Sequence, residues 1–177
     1  DNEFISAGND NADNMDGMLF DADFSPEYHL ILRRGSGKFD LDFADLDLQS
    51  FNFYENILDS GTFGSGTTGD GVNTEPIRVA YNGSNTAGVG GGTGAADQEA
   101  AAAVTTGLEL CIDLADRGNP TTAIKMMAAI NNGDHNFLSN QILGGLTPPQ
   151  GNLGGDGAGG FTGDLTGIEF DAIDGNQ

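Results

Sequence analysis

Glycine, aspartate and asparagine recur so often along this chain that few stretches remain in which a helix could grow. Among 177 residues there are 29 Gly, 20 Asp and 16 Asn. Each interrupts regular structure for its own reason. Gly enters positive-φ turns without steric cost, whereas the short Asp and Asn side chains bond to nearby backbone and compete with helical bonding. We therefore expect an all-β, loop-rich fold with short strands between turns. The length suits one domain, burying roughly 70% of the surface its unfolded chain exposes.

Period-two alternation marks the strands. Tyr28, Leu30 and Leu32 alternate with His29, Ile31 and Arg33. After the break Arg34-Gly35-Ser36-Gly37, Phe39, Leu41 and Phe43 alternate with Asp40 and Asp42, which predicts a hairpin. Leu46 and Leu48 continue against Asp45 and Asp47, then Phe51 and Phe53 against Asn52, so one face reads as apolar and the other as a comb of acids. The slip at Ala44 predicts a bulge or bend. A connection from Asp59 to Asn73 leads to a short strand at Ile77, Val79 and Tyr81, with Arg78 outward. Beyond the Gly-rich loop Asn82 to Gly94, Ala95 to Val104 has the helix propensity that the rest lacks. Leu108, Leu110, Ile112 and Leu114 give the cleanest alternation. After the turn Arg117-Gly118-Asn119-Pro120, Ile124, Met126, Ala128 and Ile130 alternate in the same way, so these two strands are expected to pair as the heart of the sheet. Residues 131–177 read as loop-dominated, with a helical turn at Phe137 to Leu143 and a weak last strand around Ile168 to Ile173.

These elements predict a two-sheet antiparallel β-sandwich over residues 1–177, with an acidic loop at 1–17, the main strands within 18–130 and a loop-rich part at 131–177. Its expected core includes Leu30, Leu32, Leu41, Leu108, Leu110, Ile112, Met126 and Ile130.

Six Lys plus Arg against 27 Asp plus Glu give a net charge of −21. That charge repels phosphate backbones and anionic headgroups, which excludes nucleic acid as a partner. No apolar run approaches the ~20 residues of a membrane span, so insertion is not expected. The single Cys111 excludes an internal disulfide; beside Glu109 and Asp113 it reads as inert, because neighbouring acids disfavour a thiolate.

The densest chemical signal is Asp10, Asn11, Asp13, Asn14 and Asp16 before Gly17, with Asp21 and Asp23 close behind. Calcium takes six to eight hard oxygens, and a short Asp/Asn/Gly loop supplies several. We take Asp10, Asp13, Asn14, Asp16, Asp21 and Asp23 as candidate calcium ligands, against the alternative of a solvated turn. The comb Asp40, Asp42, Asp45 and Asp47 reads as a solvated face that blunts aggregation. Asn131, Asn132, Asp134 and His135 with His29 make a weaker metal constellation than a surface loop. Gly90 to Gly94 reads as a flexible connection, and Asn82-Gly83-Ser84 matches a glycosylation sequon.

The segments Thr106 to Leu114, Gly118-Asn119-Pro120, Ile124 to Ala128 and Asn131 to Leu146 together resemble a group of secreted bacterial proteins frequent in planctomycetes. Gly8 to Met18 and Phe20 to Ser25 resemble the same group. More distantly, Leu108 to Leu114 followed by Ile124 to Ile130 is similar to the late strands of family-9-type carbohydrate-binding and DOMON-like sandwiches. The resemblance implies an extracellular or cell-surface β-sandwich with no assigned reaction. It also implies further strands before the acidic loop, so that the sheets are completed from outside residues 1 to 177, against the alternative that the chain's own Asp1 to Ala7 or Ile168 to Ile173 occupy those edges in a monomer.

The leading functional expectation is a non-enzymatic structural or adhesive module, a filament or surface-layer subunit stabilised by calcium and by strand pairing between copies. The alternative is a polysaccharide-binding module using Tyr28, Tyr54 and Tyr81, and the third is a glycan-active enzyme. Calcium bound only by the folded chain should raise its stability by ~2.7 kcal/mol at a hundredfold excess over the dissociation constant. Thermal melting in calcium, against sodium at matched ionic strength, reads this directly; identical melting in the two salts would reject it.

Overall fold

The computed structural model describes residues 2–35, 37–59, 63–68, 75–84 and 92–175. They form β1 (Tyr28–Gly35), β2 (Lys38–Asp45), β3 (Ser50–Asp59), β4 (Phe63–Thr67), β5 (Arg78–Asn82), α1 (Ala95–Ala102), β6 (Leu108–Cys111), β7 (Ala128–Asn131) and β8 (Leu138–Leu143), with short 3-10 turns between. The fold is all-β. Its strands lie in three small antiparallel sheets, ordered β1-β2-β3, β4-β5-β6 and β7-β8. Among the described residues no helix is long and apolar enough to cross a membrane.

The expected hairpin is β1-β2, in the register that places Leu30 opposite Phe43 and Leu32 opposite Leu41. These side chains join Phe39, Leu58, Ile77, Val79, Leu110 and Ile112 in one hydrophobic cluster, to which both three-stranded sheets contribute. Arg117 lies with its guanidinium 3.7 Å from the Phe43 ring centroid and 4.8 Å from that of Tyr28. The three tyrosines on which a sugar-stacking face would depend are all packed against this cluster.

Beyond β2 the apolar phase reverses. The link after Asp45 turns through Gln49 at φ 50, and Asp45 accepts a hydrogen bond from Leu48 N at 2.8 Å. Phe51 and Phe53 then stand opposite Ala44 and Asp42, so they share the acid-bearing face and are exposed. The irregularity expected at Ala44 lies elsewhere. Leu58 pairs with Phe39 and Tyr54 with Leu41, so residues 55–57 bulge around Asn56, at φ 54, whose N–H donates to Asp40 Oδ1 at 2.7 Å.

The Asp59-to-Asn73 connection contains a strand, β4, which the sequence reading missed. Gly66 is required there, because a Cβ would collide with the Ile57 carbonyl oxygen of the adjacent β3. Parts of the two Gly-rich connections, residues 60–62, 69–74 and 85–91, lie outside the described residues. Helix α1 occupies its expected place, with Asp97 accepting from Gly94 N at 3.1 Å. Phe137 to Leu143 is not helical; Leu138–Leu143 is β8. The weak strand at Ile168 to Ile173 reduces to one bridge, Glu169 to Leu19, and a 3-10 turn at Phe170–Ala172.

The expected pairing of Leu108–Leu114 with Ile124–Ile130 is absent. β6 pairs with β5 and β7 with β8. Of the expected core, Leu41 is buried, and Leu30, Leu32, Leu110 and Ile112 are half-buried against the shared cluster. Leu108, Met126 and Ile130 are exposed, because the strand that should have covered each is elsewhere.

The most deeply buried core is built from loops. Phe4, Ala12, Met15, Met18 and Phe20 of the acidic loop pack with Ile31 of β1 and with Leu138, Leu146, Leu153, Leu165, Ile168 and Phe170. Backbone bonds across 150 residues of sequence close it: Leu19 N donates to Ile168 O, and Phe170 N to Leu19 O, both at 2.9 Å. The β1-β2 hairpin thus meets the shared cluster on one face and the loops on the other, while Phe51 and Phe53 of β3 stay exposed.

This arrangement inverts the usual ranking of loop and strand substitutions. Phe170→Ala or Leu153→Ala should cost about 3–5 kcal/mol, as for other large-to-small changes in tight cores. Met126→Ala, on an exposed strand-like segment, should stay within about 0.5 kcal/mol. Urea unfolding of the three variants measures the difference, and equal losses would refute the loop-built core.

Candidate functional site

The alternating segment after Pro120 carries apolar side chains that nothing among the described residues covers. Ile124 and Met126 precede β7 outside any ladder and are 56% and 74% exposed. Ile130 on β7 and Leu143, near the opposite end of this two-stranded sheet, are 62% and 58% exposed. Met127, on the other side of the alternation, packs against the loop-built core. The segment therefore turns one face inward and leaves the other bare.

Two unpaired edges accompany this surface. Among the described residues β6 is hydrogen-bonded only to β5 and β7 only to β8. Main-chain donors and acceptors along such an edge form a template for another strand. Leu108 on β6 is exposed too, while Cys111 is exposed and accepts from Arg78 Nη2 at 3.0 Å. Lys125 projects from the apolar segment and pairs with Asp23 Oδ2 at 2.7 Å, which holds the Asp23 carboxyl below its ordinary pKa.

The sequence-derived calcium ligands separate into different roles. Asp13 Oδ1 accepts from the Ser6 hydroxyl at 2.9 Å, and Asp16 Oδ1 from Ser6 N at 2.5 Å, so these two carboxylates close the loop on itself. Asn14 turns away and donates to the Asp134 carbonyl at 2.8 Å. Asp10 is exposed, Asp21 is half-buried, and Asp23 belongs to the Lys125 pair. Among the described residues no three His, Cys, Asp or Glu side chains are grouped so as to hold a metal ion.

The comb of acids is broken at Asp42. Its neighbours Asp45 and Asp47 remain at the surface, but Asp42 is buried beneath the acidic loop. Its carboxylate accepts from Arg33 Nη2 at 3.1 Å, Asn9 Nδ2 at 3.1 Å and Asn11 Nδ2 at 2.9 Å. Arg33 also stacks on Phe53, 4.9 Å from the ring centroid. Both histidines of the chain border this group. His29 packs edge-on to Phe4 with ring centroids 4.6 Å apart, and His135 Nδ1 lies 2.9 Å from Asn131 Nδ2. Sequence reading paired these histidines only as a weak metal constellation. The signal for their burial was Ile31: an apolar residue between His29 and Arg33 means that this face of β1 is covered.

A concavity of about 640 Å³ separates α1 from β8. Its amides are committed internally: Gln98 Nε2 donates to Leu146 O at 2.7 Å and Asn140 Nδ2 to Gln150 O at 2.8 Å. No family model matches the chain, and no curated protein or solved structure is detectably similar to it.

The buried imidazoles give a pH signature. Burial, reinforced by His135 and opposed by Asp42, lowers the His29 pKa from 6.5 to about 4. Burial also lowers His135, with Arg33 adding to it and Asp42 and Asp134 opposing. The unfolded chain therefore takes up these protons first as pH falls. The contribution is fully present above about pH 6.5 and is lost as pH falls toward 4, by roughly 3 kcal/mol for His29 alone. His29→Gln should flatten the stability profile through this window, as read by urea unfolding at stepped pH. A wild-type profile already flat there would contradict the burial of His29.

Proposed function

We propose that the chain is an extracellular structural or adhesive module, a subunit of a filament or surface layer that assembles by strand pairing between copies. The observation that carries this reading is the exposure of the apolar side chains of Ile124, Met126 and Ile130, together with edges on β6 and β7 that among the described residues pair with no further strand. A contiguous exposed apolar surface next to an open edge is costly in a monomer, and burial against another chain offsets that cost. The reading assigns no catalytic step to the chain. Calcium belongs to it through the acid-rich surface: a charge of −21 opposes close approach of copies, and a divalent cation relieves that repulsion. The packing of Tyr28, Tyr54 and Tyr81 into the shared cluster weighs against the polysaccharide-binding alternative.

Light scattering and negative-stain microscopy at micromolar concentration in calcium test the reading. Wild-type chain should form particles larger than a monomer, and the double variant Met126→Lys/Ile130→Lys should remain monomeric with unchanged stability. A monodisperse wild-type monomer under the same conditions would reject it.

A further inference from the structure

Resting on that assembly reading, we infer that the contact between copies is heterologous, the outer edge of β6 in one copy accepting residues 124–131 of the next as an added antiparallel strand. Each surface lacks what the other carries. Leu110 and Ile112 lie half-buried at the flank of the shared cluster, where the sheet stops at β6. Ile124 and Met126 lie exposed on a segment that has no partner strand among the described residues.

The side chains select a register. With Leu110 opposite Met126, Leu108 falls opposite Ala128 and Ile112 opposite Ile124, so the apolar faces coincide and the added strand extends the shared cluster. On the other face Cys111 falls opposite Lys125. Glu109 and Asp113 are then the diagonal neighbours of Lys125, within reach of its long side chain. In a chain of net charge −21, with no cation after this lysine, such a match between the edges is specific. The present Asp23 partner of Lys125 is solvent-exposed, as is the lysine itself, so the pair is exchanged at little cost.

The two edges do not meet within one copy. β6 borders the cluster shared by the two three-stranded sheets, whereas the 124–131 segment is anchored on the loop-built core through Met127 and on β8 through the β7 ladder. Pairing them across copies leaves both anchors in place. Because the two surfaces differ, each added copy presents a fresh edge, and the contact propagates unless its rotation closes a ring.

Disulfide trapping tests the register, since Cys111 is the chain's only cysteine and is exposed. Wild-type chain is mixed with a Cys111→Ala/Lys125→Cys variant in calcium and mildly oxidised, with Cys111→Ala/Leu48→Cys as the collision control. The expected product is a covalent dimer joined between residues 111 and 125, in excess over both homodimers and over the Leu48→Cys control. The single variant Lys125→Cys should give a ladder of multimers. Separately, Lys125→Glu should abolish assembly, and adding Glu109→Lys should restore it. Large particles without the 111–125 link, or assembly unaffected by the charge reversal, would overturn this contact while leaving the assembly reading intact. An internally closed monomer of Lys125→Cys would show that the strands pair within one chain and overturn it too. Monomers throughout would reject both readings.

Discussion

The fold depends on one buried carboxylate. Asp42 stands in the middle of β2 on the face that alternation assigns to solvent, and the acidic loop covers it. A charge in that position is tolerated only if nearly every lone pair finds a donor. Arg33 from β1 and Asn9 and Asn11 from the loop provide those donors. The requirement works in both directions. Asp42 recruits the loop, and the recruited loop brings Phe4, Ala12, Met15 and Met18 against Ile31, which starts the second core. Removing one partner from such a group typically costs about 3–5 kcal/mol, because an uncompensated charge remains buried. Burial beside this group disfavours the imidazolium forms of His29 and His135, with Asp42 opposing the effect at both and Arg33 adding to it at His135.

Several of the other aspartates serve the backbone. Asp16 accepts from Ser6 N, Asp40 from Asn56 N, Asp45 from Leu48 N, Asp113 from Ala115 N, and Asp156 from both Ala158 N and Gly160 N. The last pair of N–H donors lowers the Asp156 pKa even though the group is at the surface. Each such bond satisfies an amide that no strand or helix uses, which is how long loops can close over an apolar core without orphaned donors. The abundance of Asp therefore has a local structural reading before any ligand is considered.

What was legible in the sequence was local. The β1-β2 hairpin, β5, β6 and α1 follow from alternation and propensity over windows of a few residues. The phase reversal after Asp45 was not legible, because the intervening turn adds residues without changing the hydrophobic count, and a one-residue change moves every side chain to the other face. The loop-built core was less legible still. Phe4, Leu153, Leu165 and Phe170 follow no period, and the bonds that gather them join positions such as Leu19 and Ile168. Among the candidate site residues, sequence identified Asp13 and Asp16 as close neighbours in function but not their shared partner Ser6. The burial of His29 was implied only by its neighbour Ile31.

A further failure of local reasoning bears on function. Leu108–Leu114 and Ile124–Ile130 have the strongest alternation in the chain, yet the strands within them, β6 and β7, stand in different sheets and do not pair with each other. Burial of other residues explains why. Met127 is held by the loop-built core and Leu110 by the shared cluster, so closing the hairpin within one copy would tear one of them away. The pairing preference of the two strands is local and survives that separation. In the contact proposed above, charge would decide how the preference is expressed: repulsion between chains of −21 would keep copies apart at low salt, and Lys125, a residue type that normally guards an open edge, would become attractive only where Glu109 and Asp113 flank the opposing strand. The same lysine that discourages indiscriminate pairing would then select one partner edge.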